Sequence, residues 1–126
     1  MPYALDFTID ALPDLQVAAG KGSWRGRQAQ TKRWHDRVAA AVLDAGRPAQ
    51  PLLRARVRFE RHSTTEPDVT NLCASFKAVE DGLVRIGVIV DDKPSVIGSP
   101  DFRWFKAKRG EGHIRVQVWE ADPDAA

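Results

Sequence analysis

Two acidic segments and one lysine are the positions of this sequence most able to do chemistry. Asp68 lies just before an amphipathic stretch that carries Lys77, and the acidic pair Asp91-Asp92 follows that stretch. Carboxylates bind divalent cations, and a nearby ammonium group stabilises negative charge that develops on a phosphate. The types and order of these residues therefore favour metal-dependent hydrolysis of a phosphodiester.

Each of these residues also has a simpler structural explanation. Asp68 or Thr70 can cap the first turn of a helix, and the pair Asp91-Asp92 can stand in a turn. Lys77 lies one helical turn before Asp81, so the two can form an exposed ion pair worth less than about 1 kcal/mol. The joint arrangement favours a site, because a helix and the strand after it, packed antiparallel, place the acidic groups near one another.

The elements that must position these residues follow from the spacing of apolar side chains. Alternation over residues 4–10 and 53–60 predicts two half-buried strands, and steps of three or four predict helices over 28–45 and 70–86. A short strand over 88–90 precedes the acidic pair, residues 95–97 extend briefly, and residues 102–108 and 113–120 form a hairpin. Segments 11–27 and 61–67 are predicted loops. We expect an α+β fold, with two helices packed on one mostly antiparallel sheet, as a single domain over 1–126.

The charge distribution is more informative than the formal net charge of +2. The stretch from residue 21 to residue 37 contains one acid, Asp36, against six basic residues: Lys21, Arg25, Arg27, Lys32, Arg33 and Arg37. Such a stretch is typical of a phosphate-binding surface, although it also occurs as solvated surface. A second run, Arg54, Arg56 and Arg58, lies on one strand face, where acidic neighbours, a dimer partner or a nucleic acid would neutralise it.

The remaining composition excludes several classes of protein. The single cysteine, Cys73, cannot form an internal disulfide, and its apolar neighbours predict a buried thiol in a reducing compartment. The first ten residues have neither the charge nor the apolar length of a signal peptide or membrane span, so we expect a cytoplasmic protein with no membrane partner. The histidines lack zinc spacing, and the glycines of residues 20–26 lack a phosphate-loop ending, so no nucleotide cofactor is expected.

The segment from Pro67 to Asp92 resembles the central motif of the RusA family of Holliday junction resolvases. The motif reads roughly P-D-x-D-N-L, a lysine, D-A-L and D-D, and the matching positions here are Pro67-Asp68-Val69-Thr70-Asn71-Leu72, Lys77, Asp81-Gly82-Leu83 and Asp91-Asp92. Members of that family are small α+β homodimers that cut four-way DNA junctions with Mg²⁺.

The resemblance implies the same activity, cofactor and assembly for this chain. Asp68, Asp91 and Asp92 would bind Mg²⁺, and Lys77 would lie near the scissile phosphate, so that these four form the catalytic set. The residues expected to contact branched DNA are Arg25, Arg27, Lys32, Arg33, Thr70 and Asn71.

One departure from the motif motivates a second hypothesis. Thr70 stands where many members have a second aspartate, which suggests a protein that binds branched DNA with weak or lost nuclease activity. A third hypothesis is an RNA-binding module that stacks bases on Trp24, Trp34, Trp104 and Trp119, but tryptophans at such spacing are more often core residues.

Overall fold

A four-stranded mixed sheet packed against helices forms the protein, which a computed structural model describes for residues 2–15 and 22–122. In chain order the described elements are β1 (Ala4–Ile9), α1 (Trp24–Ala45), β2 (Ala55–Ser63), α2 (Val69–Ser75), α3 (Lys77–Arg85), α4 (Pro94–Ile97), β3 (Asp101–Lys106) and β4 (His113–Glu120). The strand order is β1-β4-β2-β3. β4 pairs antiparallel with β1 and β2, whereas β2 and β3 are parallel. The α+β prediction is confirmed, with a sheet of mixed direction.

The core lies between one face of the sheet and the helices. Strand residues alternate between buried and exposed positions, as in β1, so that every second side chain enters the core. Val38 of α1 and Leu83 of α3 are fully buried against this face. Gly82 allows the two helices to approach closely, because a Cβ atom at this position would lie 3.0 Å from the Cβ of Val38.

The predicted hairpin between residues 102–108 and 113–120 is wrong. β2 lies between β3 and β4 and pairs with both, so that the glycine-rich turn near residue 110 connects strands that are not neighbours. The predicted loop over 61–67 is also partly wrong, because β2 continues through Ser63. Its additional residues pair with β3, where Ser63 lies opposite Lys106. Parallel pairing requires the long crossover that α2, α3 and α4 supply.

The two main helices differ from their predicted bounds. α1 begins at Trp24 rather than Gln28, because the Ser23 hydroxyl accepts a hydrogen bond from the Gly26 amide at 3.0 Å and caps the helix. The rest of the predicted loop over 11–27 includes residues 16–21, which lie outside the described residues. The predicted helix over 70–86 is two helices, separated at Phe76, whose backbone angles (φ −92°, ψ 1°) depart from helical values and whose ring packs on Phe59 with centroids 5.0 Å apart.

The short segments around the acidic pair also differ from prediction. Residues 88–90 form no strand in the described structure and make one isolated parallel bridge, between Ile89 and Leu52. The predicted extension over 95–97 is part of the helical turn α4, which begins at Pro94, a residue well suited to a first helical position. Val96 and Ile97 of this turn are buried, so hydrophobic burial accounts for the compact conformation.

The other face of the sheet carries polar residues that neutralise part of the arginine run. Arg58 Nε lies 3.0 Å from Glu60, and His62 lies 2.9 Å from the second oxygen of the same carboxylate. Glu60 is only 4% exposed beneath these neighbours. Acidic neighbours therefore account for Arg58, as the simplest sequence-based explanation proposed.

The tryptophans and the cysteine match the core prediction only in part. Trp34 is buried, and Trp104 is partly buried and donates from its Nε1 to the Ser63 hydroxyl at 2.9 Å. Trp24 and Trp119 are exposed. Cys73 is partly rather than fully buried. Over the described ranges, none of the helices combines the length and apolarity needed to cross a bilayer.

Candidate active site

Asp68 caps the first turn of α2. Its Oδ1 accepts a hydrogen bond from the Asn71 backbone amide at 2.8 Å, and its Oδ2 accepts one from the Asn71 side-chain amide at 2.9 Å. The residue is exposed and has extended backbone angles, as expected for the residue before a helix. The capping explanation is therefore correct for Asp68. Thr70, in the first turn, is exposed as well.

Lys77 connects the start of α3 with the acidic pair. Its Nζ lies 2.6 Å from Asp92 Oδ2 and 3.2 Å from Asp81 Oδ1. These distances bring together three charged positions that the sequence analysis singled out. The Asp81 contact is the ion pair expected from helical spacing, whereas the Asp92 contact spans a change of element. Because the Lys77 side chain is 66% exposed, the two ion pairs contribute little to folding stability.

The protonation states of this cluster follow from the same contacts. The hydrogen bond to Asp92 is the main reason that the pKa of Lys77 lies above its ordinary value, and the contacts to Asp81 add to it. The reciprocal hydrogen bond lowers the pKa of Asp92. Both groups are therefore charged at neutral pH. Lys77 can stabilise negative charge at this position, but it cannot accept a proton there.

The segment that carries the acidic pair is held by local hydrogen bonds. Asp91 Oδ1 accepts from the Asp92 backbone amide at 2.7 Å, and Asp91 Oδ2 lies 3.7 Å from Lys93 Nζ. The bridge between Leu52 and Ile89 attaches the preceding residues to the chain just before β2. The pair lies in an irregular segment that is neither helix, strand nor turn, so the turn explanation is wrong for Asp91 and Asp92.

Glu80 is a titratable residue near this cluster that the sequence analysis missed. It lies in the first turn of α3 and is partly buried. Burial raises its pKa to about 7, the positive charge of Lys77 opposes the rise, and the negative charges of Asp92 and Asp81 add to it. Its position three residues after Lys77 is the only sequence signal that pointed to it.

The predicted metal ligands do not form a ready-made group of three. Within 2–15 and 22–122, no three histidine, cysteine, aspartate or glutamate side chains are placed to hold a metal ion. The ion pair places Asp92 next to Lys77. That Asp68 also lies close to Asp91 and Asp92 remains a prediction. The carboxylate donors suit Mg²⁺ chemically, because this ion usually takes one or two protein carboxylates and completes its shell with water and substrate phosphate.

The basic residues predicted to bind DNA lie on α1 but not on one face of it. Arg25, Lys32 and Arg33 are exposed, and Lys32 pairs with Asp36 at 3.1 Å. Arg27 is less exposed and donates from Nη1 to the Gly22 carbonyl at 2.9 Å. At 100° per residue, Arg27 lies on nearly the opposite side of the helix from Arg25.

A groove of about 300 Å³ lies between α1 and the helices α2 and α3. Arg27 is one of its lining residues, together with Lys77 and Asp81 of the charged cluster. The groove therefore joins one of the predicted DNA-binding residues to the candidate catalytic lysine. The sequence alone does not predict this groove, because it arises from the packing of three helices.

Comparisons with known proteins neither support nor oppose the resemblance to the resolvases. The chain matches no protein-family model and none of the curated proteins searched. The functional proposal therefore depends on the residues and their geometry.

Proposed function

We propose that this chain is a Mg²⁺-dependent, structure-specific endodeoxyribonuclease that resolves four-way DNA junctions by paired nicks as a homodimer. The observation that supports it best is the contact of Lys77 with Asp92 at 2.6 Å. It joins the lysine and the second acidic segment of the motif, which are separated by an element boundary. Arg27 of α1 lines the same groove as Lys77 and adds a positive charge that would help to hold a polyanion there.

The chain's own residues have distinct tasks under this proposal. Asp68 and the Asp91-Asp92 pair would hold Mg²⁺, which supplies charge neutralisation and activation of water when bound. Lys77, kept protonated by its acidic neighbours, would stabilise the charge on the phosphate under attack. Arg25, Lys32 and Arg33 would contact the flanking backbone without regard to base sequence, because phosphates are common to all sequences. A cytoplasmic location agrees with the use of DNA as substrate.

The test is cleavage of a labelled four-way junction with Mg²⁺ or with EDTA. We expect nicks only with Mg²⁺, and we expect Asp92→Asn to lower the cleavage rate at least 100-fold while junction binding changes little. Asp44→Asn is the matched control, because Asp44 is an exposed aspartate near the end of α1. Undiminished cutting by Asp92→Asn would remove Asp92 from the site.

Paired nicking is tested separately with a plasmid that extrudes a cruciform. Two incisions within one binding event give linear plasmid, whereas independent incisions first give a nicked circle. Linear product at low enzyme concentration supports action as a homodimer. A nicked circle that accumulates before the linear form would contradict paired resolution.

A second candidate function is binding of branched DNA without cleavage. It is favoured by Thr70 at a position where the motif carries an acid, and by the lack of a three-ligand group among the residues described. The same assay separates the two functions, because a binding protein shifts the junction in a gel but gives no Mg²⁺-dependent product.

A further inference from the structure

The groove beside Lys77 has the size of a site for one small group. Its volume of about 300 Å³ is at the lower end of the range for small-ligand sites, roughly 300–1,000 Å³. Such a space accommodates a single nucleoside but not a duplex. Lys77 and Asp81 line it, so a group bound there would lie next to the charged cluster.

Small side chains on one wall leave this space open. Ala74, Ser75 and Ala78, from the end of α2 and the first turn of α3, line the groove where larger residues would fill it. Farther along, the helices are in close contact through Gly82 and Val38. The groove is therefore a local separation of helices that pack tightly elsewhere.

The opposite wall carries polar groups on a single face of α1. Four residues of α1 line this side of the groove, and their spacing of three or four places them on the same face of the helix: Arg27, Gln30, Thr31 and Trp34. Trp34 is buried with its Nε1 hydrogen unpartnered among the described residues. Within residues 2–15 and 22–122, the Gln30 side-chain amide makes no hydrogen bond. A nucleobase edge presents the acceptor and donor that the Gln30 amide lacks.

The third wall of the groove is held in place by the buried side chain of Arg61. Pro13 and Asp14 line the groove, and the Pro13 carbonyl accepts a hydrogen bond from Arg61 Nη1 at 2.8 Å. Arg61 is only 6% exposed, so it holds this short segment against the sheet. The groove is thus bounded by three separate parts of the chain with defined positions.

We propose that this groove binds one unstacked nucleotide of branched DNA, adjacent to the phosphate that Lys77 would contact. The inference rests on the proposed function and adds to it a source of selectivity. A base at a branch point has lost part of its stacking, so its extrusion into a pocket costs less than extrusion from a continuous duplex. The groove would therefore favour branched over linear DNA, with Gln30 contacting the edge of the base.

The experiment uses the fluorescent adenine analogue 2-aminopurine, placed in turn at each position around the branch point of a four-way junction. Its fluorescence rises when it leaves the base stack. EDTA prevents cleavage, and saturating protein ensures full binding. We expect a rise of several-fold at one position per bound strand with the wild-type protein. Linear duplex of the same sequence should give no rise.

Two variants connect the signal with the groove. Ala74→Leu should fill the space and reduce the rise to below one-fifth, whereas Ala40→Leu, the same change at an exposed position of α1, should leave it unchanged. Gln30→Leu replaces a partly exposed side chain with one of similar size. It should reduce the fluorescence rise to half or less, and it tests the groove even if Ala74→Leu folds poorly. Thermal unfolding of each variant shows which of them are folded.

The outcomes separate the two proposals. A signal that persists in folded Ala74→Leu and in Gln30→Leu, or junction nicking with no signal at any position, overturns the groove proposal and leaves the nuclease intact. A signal that these variants abolish, without Mg²⁺-dependent nicks, supports the groove and contradicts the nuclease. Lack of junction binding overturns both.

Discussion

Glu80 makes the folding stability depend on pH in the direction opposite to that of most carboxylates. Burial raises its pKa to about 7 from an ordinary value of 4.5. As the pH falls from about 7 to about 4.5, the folded protein binds a proton at Glu80 that the unfolded chain does not yet bind. The contribution of Glu80 to stability therefore increases as the pH falls through this window, and it is lost as the pH rises through it.

The magnitude follows from the size of the rise. Each tenfold change in proton affinity corresponds to about 1.4 kcal/mol, so a change from 4.5 to about 7 corresponds to roughly 3 kcal/mol. Solvent screens a partly buried carboxyl, and we therefore expect about 2 kcal/mol. Glu80→Gln removes the titration, because the amide has nearly the same size and stays neutral.

Urea denaturation of wild type and Glu80→Gln at intervals from pH 5 to pH 8 measures this contribution. The stability of the variant relative to wild type should increase by about 2 kcal/mol across the range, with most of the change between pH 5 and pH 7 and little above pH 7. Other carboxylates affect both proteins alike, so the difference isolates Glu80. Glu111→Gln, the same substitution at an exposed position, is the control.

A constant difference between wild type and Glu80→Gln over the whole range would refute this reasoning. It would mean that Glu80 is solvated well enough to keep its ordinary proton affinity. An increase in relative stability toward acid pH would contradict it further, because that sign requires a pKa lowered by the charge of Lys77 rather than raised by burial.

Two further predictions concern the helices that carry the site. Gly82→Ala should destabilise the protein by about 1 kcal/mol in urea, because crowding against Val38 costs roughly 1–3 kcal/mol and the higher helix propensity of alanine returns about 1 kcal/mol. In a Val38→Ala background the same change should be neutral or stabilising. An equal cost in that background would exclude crowding against Val38 as the cause. Asp68→Ala should cost about 1 kcal/mol and Asp68→Ser only a few tenths, since serine also caps helices. Junction nicking should be lost in both Asp68 variants, and a fully active Asp68→Ser would leave Asp68 with a capping role alone.

The sequence predicts those parts of the fold in which local patterns and burial agree. β1 is confirmed because Leu5 and Phe7 alternate with polar residues, and this face enters the core. The hairpin prediction fails because a turn signal near Gly110 is local, whereas the position of β2 between β3 and β4 depends on pairings between distant residues. The helix break at Phe76 likewise depends on its packing with Phe59, which no local pattern of apolar residues reveals.

The candidate site was predictable only as far as spacing determines it. The contact of Lys77 with Asp81 follows directly from helical geometry. The contact with Asp92 does not follow from spacing, because the expected approach to the acidic pair was that of Asp68, and the expected strand before the pair is a single bridge. Glu80 and the groove could not be predicted, because their properties depend on how deeply neighbouring helices bury a side chain.

The bridge between Leu52 and Ile89 allows local opening of the backbone before the acidic pair to be measured by hydrogen exchange. Only two backbone hydrogen bonds are made at it, from Leu52 to the Val88 carbonyl at 2.8 Å and from Val90 to the Leu52 carbonyl at 3.1 Å. Opening of these two bonds would expose the Val90 amide to solvent while the sheet stays folded. The rate at which the Val90 amide exchanges with deuterium therefore reports how often the backbone two residues before Asp92 opens, in a sample that contains neither metal nor DNA.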